Sequence, residues 1–185
     1  MLLFPSCRRK EVKLRMDAIR DRAAMPVLDS QEVTTLISDS GVTRFRITAR
    51  QWLVYDKAQP SYWEFPDGIY LEQFDKSLLT AATLRADYAY YDDQAEIWHL
   101  TGNVYATNVK GEQFETPELF WNQKTERVYS DSAITITQPP SKAVVNADAE
   151  KAKGAVIMGV GFESNQDMTK YTIRRPTGIF PIEEE

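Results

Sequence analysis

Between Thr80 and Thr137 the chain alternates, and turn chemistry interrupts the alternation about every ten residues. Ala82, Leu84, Ala86, Tyr88 and Tyr90 share one parity, with Thr83, Arg85 and Asp87 on the other. That is the period of a strand with one face buried. Asp92-Asp93-Gln94 turns the chain, after which Trp98, Leu100, Gly102, Val104 and Ala106 again fall on one face. Lys110-Gly111 supplies a second turn and Asn122–Thr125 a third. A helix cannot use this pattern, because its faces repeat every 3.6 residues. The stretch predicts a continuous antiparallel meander.

The flanks extend the same architecture. Val33, Thr35 and Ile37 begin a first strand, and Ser38-Asp39-Ser40-Gly41 turns it. Thr43, Phe45, Ile47 and Ala49 then share a face, but Trp52 and Val54 have the other parity. A change of parity within an extended stretch is what a β-bulge produces. Tyr62 to Leu71, with Asp67-Gly68 at its centre, reads as a hairpin with a type I′ turn. Gln138-Pro139-Pro140-Ser141 breaks the sheet. Ala143–Ala149 and Ala155–Gly161 read as two further strands, and Lys170–Arg174 as a last one, ended by Pro176 and Gly178. A faint repeat of about 30 residues aligns Tyr90, Ile97 and Trp98 with Trp121, Val128 and Tyr129. Arg8 to Ala24 is charged and carries only a thin helical stripe of Val12, Met16 and Ile19 before Pro26, as a tether would. The organisation expected is an anchor remnant over 1–7, a tether over 8–30 and one β domain over 31–182.

Composition excludes several functions. A net charge of -5 argues against a nucleic-acid binder, which works by neutralising phosphates. His99 is the only histidine and Cys7 the only cysteine, so no zinc set can be assembled. Phosphate-cradling glycine loops, dinucleotide fingerprints and nucleophile elbows are all absent from the sequence. Asp92-Asp93 is turn chemistry rather than a carboxylate pair for glycoside hydrolysis. These readings point to a binding protein without enzymatic activity or cofactor. No stretch approaches the length of apolar residues that spans a bilayer. Leu2-Leu3-Phe4-Pro5-Ser6-Cys7 has apolar residues, a small residue and then cysteine, like the end of a lipoprotein signal.

The order Ala86-Asp87-x-Ala-x-Tyr-Tyr-Asp, Leu100-Thr-Gly-Asn-Val, Gly111-Glu-x-Phe-x-Thr, Leu119-x-Trp and Val128-Tyr-Ser-Asp resembles the repeat of the OstA-like/LptC group. Tyr70-Leu71-Glu72-Gln73-Phe74 is similar to another segment of that family. Gly159-Val-Gly-Phe-Glu-Ser-Asn, followed by Tyr171-Thr-Ile, resembles the closing segment of LptC in particular. The resemblance covers about Val33 to Phe180. It implies an all-β fold, an open antiparallel jellyroll of two facing sheets. It implies export of lipopolysaccharide across the periplasm, with the acyl chains in a groove between the sheets. The groove candidates are Tyr88, Tyr90, Trp98, Leu100, Val104, Gly159 and Gly161. The two glycines are two residues apart, so they either leave room for an acyl chain or bend the sheet. The implied partners are lipopolysaccharide, the subunits of an inner-membrane ABC transporter and an LptA-like periplasmic bridge. Edge strands would meet them by strand addition: Val33, Thr35 and Ile37 at the transporter, and Thr169, Tyr171 and Ile173 at the bridge. The expected location is the periplasm, anchored to the inner membrane by lipidation of Cys7. A purely structural adaptor and a glycan-binding β module, stacking sugars on Tyr88, Tyr90 and Trp98, are the alternatives.

The parity assignment makes a direct prediction. Leu100→Asp puts a charge on the buried face and is expected to cost several kcal/mol, whereas His99→Asp on the opposite face costs little. Equal falls in Tm for the two variants would show the faces to be reversed.

Overall fold

The computed structural model describes residues 22–140 and 154–179. Cys7, most of the tether and the strand expected at Ala143–Ala149 lie outside the described residues. Within them the protein is all-β: eleven strands in one antiparallel sheet, with a single three-residue 3-10 turn at Arg22–Ala24. The strands are β1 (Leu28–Asp39), β2 (Val42–Tyr55), β3 (Tyr62–Phe65), β4 (Ile69–Phe74), β5 (Thr80–Ala86), β6 (Tyr88–Asp92), β7 (Ile97–Asn108), β8 (Gln113–Asn122), β9 (Arg127–Thr137), β10 (Val156–Asn165) and β11 (Tyr171–Ile179).

The pairings give a plain meander. β3 and β4 both run antiparallel to β2, on Leu53–Tyr55 and Phe45–Ala49 respectively. They are therefore one interrupted strand. Asp67-Gly68 does not reverse the chain; it is the interruption. The hairpin expected there is absent because a positive-φ glycine serves a bulge as readily as a turn. β5 and β6 are likewise one strand interrupted at Asp87, since β4 pairs with β5 and β3 with β6.

These interruptions form a line. The register slips at Gly102-Asn103 between β7 and β8, between Glu115 and Phe120 on β8, and at Gly161 between β10 and β9. Glu32, in β1 where it passes Arg50, also has a positive φ. Each long strand thus bends at its middle, and the ribbon folds over along this crease to make the two facing layers of a jellyroll. One layer holds β4 and β5, the other β3 and β6; β2 and β7 to β11 run through both.

The crease resets which residues point inward. Ala82, Leu84 and Ala86 are buried before Asp87, but Ala89 and Tyr91 are buried after it. Tyr88 and Tyr90 therefore face outward, contrary to the uninterrupted alternation expected. The parity change at Gln51 in β2 is present, with Ile47 and Ala49 buried before it and Trp52 packed on the core after it. The repeat also shifts by one residue: Tyr91 and Trp98 are buried, and so are Trp121 and Val128, whereas Tyr90 and Tyr129 are not. β1 begins at Leu28, inside the stretch read as tether. Thr169 belongs to the β10–β11 turn, and β11 runs on through Pro176 to Ile179. An edge strand tolerates proline, because it lacks a ladder partner on one side.

Side chains repair the backbone groups that the crease leaves unpaired. Thr116 donates its hydroxyl to the Ala133 carbonyl at 2.9 Å, and Ser130 donates to the Glu118 carbonyl at 2.7 Å. Asn103 donates to the Asp87 carboxylate at 2.6 Å. Gly102 has φ +75, and a Cβ there would lie 2.9 Å from Asp87 Cβ. Gly41 has φ +80 but open space around it. Gly41→Ala is expected to cost about 1–2 kcal/mol for the left-handed conformation alone. Gly102→Ala should cost clearly more by urea denaturation, because Asp87 must also move. Equal costs would show that the crease is not tightly packed.

Candidate functional site: the interior between the layers

The interior is aromatic on the β3–β6 side. Trp98 stacks near Phe65 and Trp121, with centroids 5.7 and 6.2 Å away. Tyr91 and Trp63 close around them. The layers meet where Phe45 tilts onto Trp121 at 5.1 Å and Phe114 approaches Phe162 at 5.7 Å. Trp98, Leu100 and Val104 are fully buried in this packing, so the centre of the interior is filled. The indole N–H groups of Trp52, Trp98 and Trp121 are buried without a hydrogen-bond acceptor.

The interior opens at the free rims of the layers, away from the crease. A small apolar pocket lies between Phe45, Leu71, Ala82, Leu84, Trp121 and Met168. Outside it is a cleft of about 630 Å³, bordered by Ile37, Arg44, Gln73 and Phe74 from one layer and Glu96, Gln123 and Gln166 from the other. That is the volume of a site for a drug-sized ligand. The lining grades from apolar inside to polar at the mouth. Trp121, with its unpaired indole donor, touches both spaces.

At the β7–β11 side the mouth is shut by a polar clasp. Buried Glu112 accepts from Asn108 at 2.6 Å, from Gln138 at 3.1 Å and from the Tyr171 hydroxyl at 3.0 Å. Asn108 also donates to the Met168 carbonyl at 2.9 Å, and Lys110 to the Thr169 carbonyl at 2.8 Å. The β7–β8 turn of one layer is thereby tied to the β10–β11 turn of the other, with the Met168 side chain buried beneath. The Gly111-Glu-x-Phe-x-Thr motif contains Glu112, but no sequence pattern marked its tie or that of Asn108 to the other layer, because Tyr171 and Met168 lie about 60 residues away in the chain. Burial raises the Tyr171 pKa; the Gln138 bond opposes this, and Glu112 adds to it.

Several residues expected in the groove lie elsewhere. Tyr88 and Tyr90 both face outward; Tyr90 joins an outer ladder in which Tyr55, Tyr62 and Tyr90 stack at 4.4 and 5.0 Å. His99, Phe120 and Tyr129 continue it at 4.3 and 5.3 Å. These rings spend their faces on one another, which leaves edges rather than faces for a sugar. Tyr88 donates to Glu64 at 3.0 Å, and burial together with that bond pushes its pKa up to about 12. Gly161 is the bulge of β10, with φ +82 and the Arg174 side chain where a Cβ would sit; at Gly159 that space is taken by Ile173. Both glycines face β11 closely, which the bending alternative describes. Tyr171 and Ile173 pack against the core edge of β11, and Val33, Thr35 and Ile37 are half-buried on β1. Among the described residues β1 pairs only with β2, and β11 only with β10, so both are edges there. Among the described residues there is no cluster that could hold a metal ion, and no helix is long and apolar enough to cross a membrane.

A family described as lipopolysaccharide-assembly, LptC-related matches residues 17–167, most of the chain. The protein belongs to the LptC family. No curated protein matches it. Family membership assigns it to lipopolysaccharide transport in the cell envelope, and the all-β jellyroll agrees with that assignment.

The clasp is testable through pH. The raised Tyr171 pKa means the folded protein holds a proton that the unfolded chain loses near pH 10. The stabilisation is therefore complete below pH 10 and is lost as pH rises through the folded value. Tyr171→Phe should lower stability at neutral pH by about 1 kcal/mol. It should also make the alkaline fall in Tm shallower; an unchanged alkaline limb would show that Tyr171 does not titrate against Glu112.

Proposed function

We propose that this LptC-family protein carries lipopolysaccharide by taking its acyl chains between the two layers, through the cleft bordered by Gln73, Phe74 and Gln166, while the head group stays in water. The observation that carries this reading is the grading of the interior from a closed aromatic core, through an apolar pocket at Phe45 and Trp121, to a polar mouth. Acyl chains gain by leaving water along such a path. The unpaired Trp121 indole is a donor for a carbonyl of an acyl ester or amide, which would otherwise be buried without a partner. Because the centre is packed, long chains require the layers to part, and the crease is the natural hinge. The interior candidates Trp98, Leu100 and Val104 become chain contacts in that parted state.

The two edges support linkage. Among the described residues β1 and β11 each have one side without a ladder partner, where strand addition would take place. We assign β11 to an LptA-like bridge and β1 to the inner-membrane ABC transporter, with lipidation of Cys7 as the anchor. Arg174, Arg175 and Pro176 on β11 discourage indiscriminate pairing there. The outer aromatic ladder, with its faces occluded, weighs against the glycan-binding alternative.

A photocrosslinking amino acid at Gln73 or Gln166 should capture lipopolysaccharide, and one at exposed Thr48 should not. A probe at Thr172 should capture the bridge protein. Capture of the bridge with no lipid at Gln73 or Gln166 would leave the adaptor reading in its place.

A further inference from the structure

We propose that the rim of the layer holding β4 and β5 is a bilayer-contacting edge, which dips aliphatic side chains of three neighbouring turns into a phospholipid surface. The proposal deepens the carrier reading and rests on it for the purpose of the contact, which is to set the mouth against lipid. The turns are β1–β2, β4–β5 and β7–β8. Phe45 pairs with Gln73, and Ala82 with Asn108, so the three tips stand side by side. Leu78, Leu79 and Val109 at these tips are 60%, 67% and 68% exposed, and Val42 beside them is also exposed. The β2–β3, β6–β7, β8–β9 and β10–β11 turns of the opposite rim themselves expose no large aliphatic or aromatic side chain; Met25, Val27 and Leu28, where the chain enters β1 beside the β2–β3 turn, are the exposed apolar residues at that end. These turns carry Asp56, Asp93, Glu96, Glu126 and Asp167 against Lys57, Lys124 and Lys170.

The backbone of the apolar tips is fitted to leave water. Asp75 accepts the Ser77 and Leu79 N–H groups on its carboxylate and the Leu78 N–H on its carbonyl, and donates its own N–H to Leu79. Asn108 accepts the Lys110 and Glu112 N–H groups on its side chain and the Gly111 N–H on its carbonyl. A turn entering a headgroup region with such internal pairing sheds few unsatisfied donors. The apolar groups are one or two aliphatic side chains on each tip, with none of the aromatic or arginine anchors typical of a protein interface. A fluid surface accepts such points individually. Asp39 and Asp75 offset Lys76 and Lys110 on the same tips, so apolar insertion rather than charge drives the contact. The mouth lies directly behind, at Phe45, Gln73 and Phe74.

The test uses the full chain with Cys7→Ser and one new cysteine, labelled with an environment-sensitive nitrobenzoxadiazole dye, at Leu78, Val109 or Thr125. Vesicles of phosphatidylcholine, with and without phosphatidylglycerol, are added at low and high salt. Labels at Leu78 and Val109 should shift to the blue and brighten, with little dependence on salt or on the anionic lipid, while the label at Thr125 on the opposite rim should not. The combined Leu78→Asp, Leu79→Asp and Val109→Asp variant should bind vesicles about tenfold or more weakly in sedimentation. The milder Leu78→Ser should weaken binding less and retain the parental Tm. An equal dye response at Thr125, or unweakened sedimentation of the triple variant, would overturn the proposal. Lipopolysaccharide crosslinking from Gln73 in detergent is measured on the same variants. Crosslinking retained while vesicle binding is lost supports the rim independently of the groove; crosslinking lost from the unmodified rim overturns the groove reading alone.

Discussion

A sheet of long strands in which each strand loses its register at the same level has to fold along that level. This crease is the constraint on which the rest of the protein depends. Each interruption adds a residue to one strand but not to its neighbour, and the added residue increases local twist and bends the ribbon. Repeated from β2 to β10, the bends become one hinge line, which β1 and β11 follow in continuous register with their neighbours at that level. The backbone carbonyls exposed there are recovered by the hydroxyls of Thr116 and Ser130, and the Asn103 and Asp87 side chains bond each other across the interruption. The outer surface of the crease is drawn together by charge as well, where Arg174 meets Asp131. A meander folded this way encloses an apolar interior without closing into a barrel. Among the described residues it consequently keeps two sheet edges and one open mouth, the features on which the proposed carrier reading relies.

The same crease explains what the sequence shows and what it hides. The meander, its turns at Asp92-Asp93, Lys110-Gly111 and Asn122–Thr125, and the burial of Trp98, Leu100, Val104 and Ala106 were all legible, because local alternation and local turn chemistry produce them. Tyr88 and Tyr90 were misplaced because Asp87, one residue outside the strand ladder, reverses the faces of β6 beyond it. Asp67-Gly68 misled in the opposite sense. The pair can adopt positive φ, and whether that makes a turn or a bulge depends on whether β2 is long enough to pair on both sides of it. At 14 residues it is. The clasp around Glu112 was invisible for a different reason. It joins residues whose proximity follows from folding the ribbon over, which no local pattern encodes.

The clasp and the cleft divide the labour between the two sides of the mouth. On the β7–β11 side, Glu112, Asn108 and Lys110 hold the layers together through hydrogen bonds, that of Asn108 to Met168 buried and that of Tyr171 to Glu112 partly so, and leaving those partners unpaired is costly. On the β1–β5 side the contact is largely the tilt of Phe45 on Trp121, backed by apolar surface. Apolar contacts are non-directional, and an acyl chain can replace them with contacts of the same kind. Polar contacts of fixed geometry have no such substitute in a lipid. On the carrier reading proposed above, lipid would enter at the β1–β5 side, beside the β1 edge, and the β11 edge would stay closed until something supplied new partners for the clasp. Strand addition at β11 is placed to do this, since Tyr171 is both the first residue of that edge and the hydroxyl that holds Glu112. A carrier arranged in this way would fill at one edge and release only when a neighbour is docked at the other, which gives direction to the transfer without any chemical step.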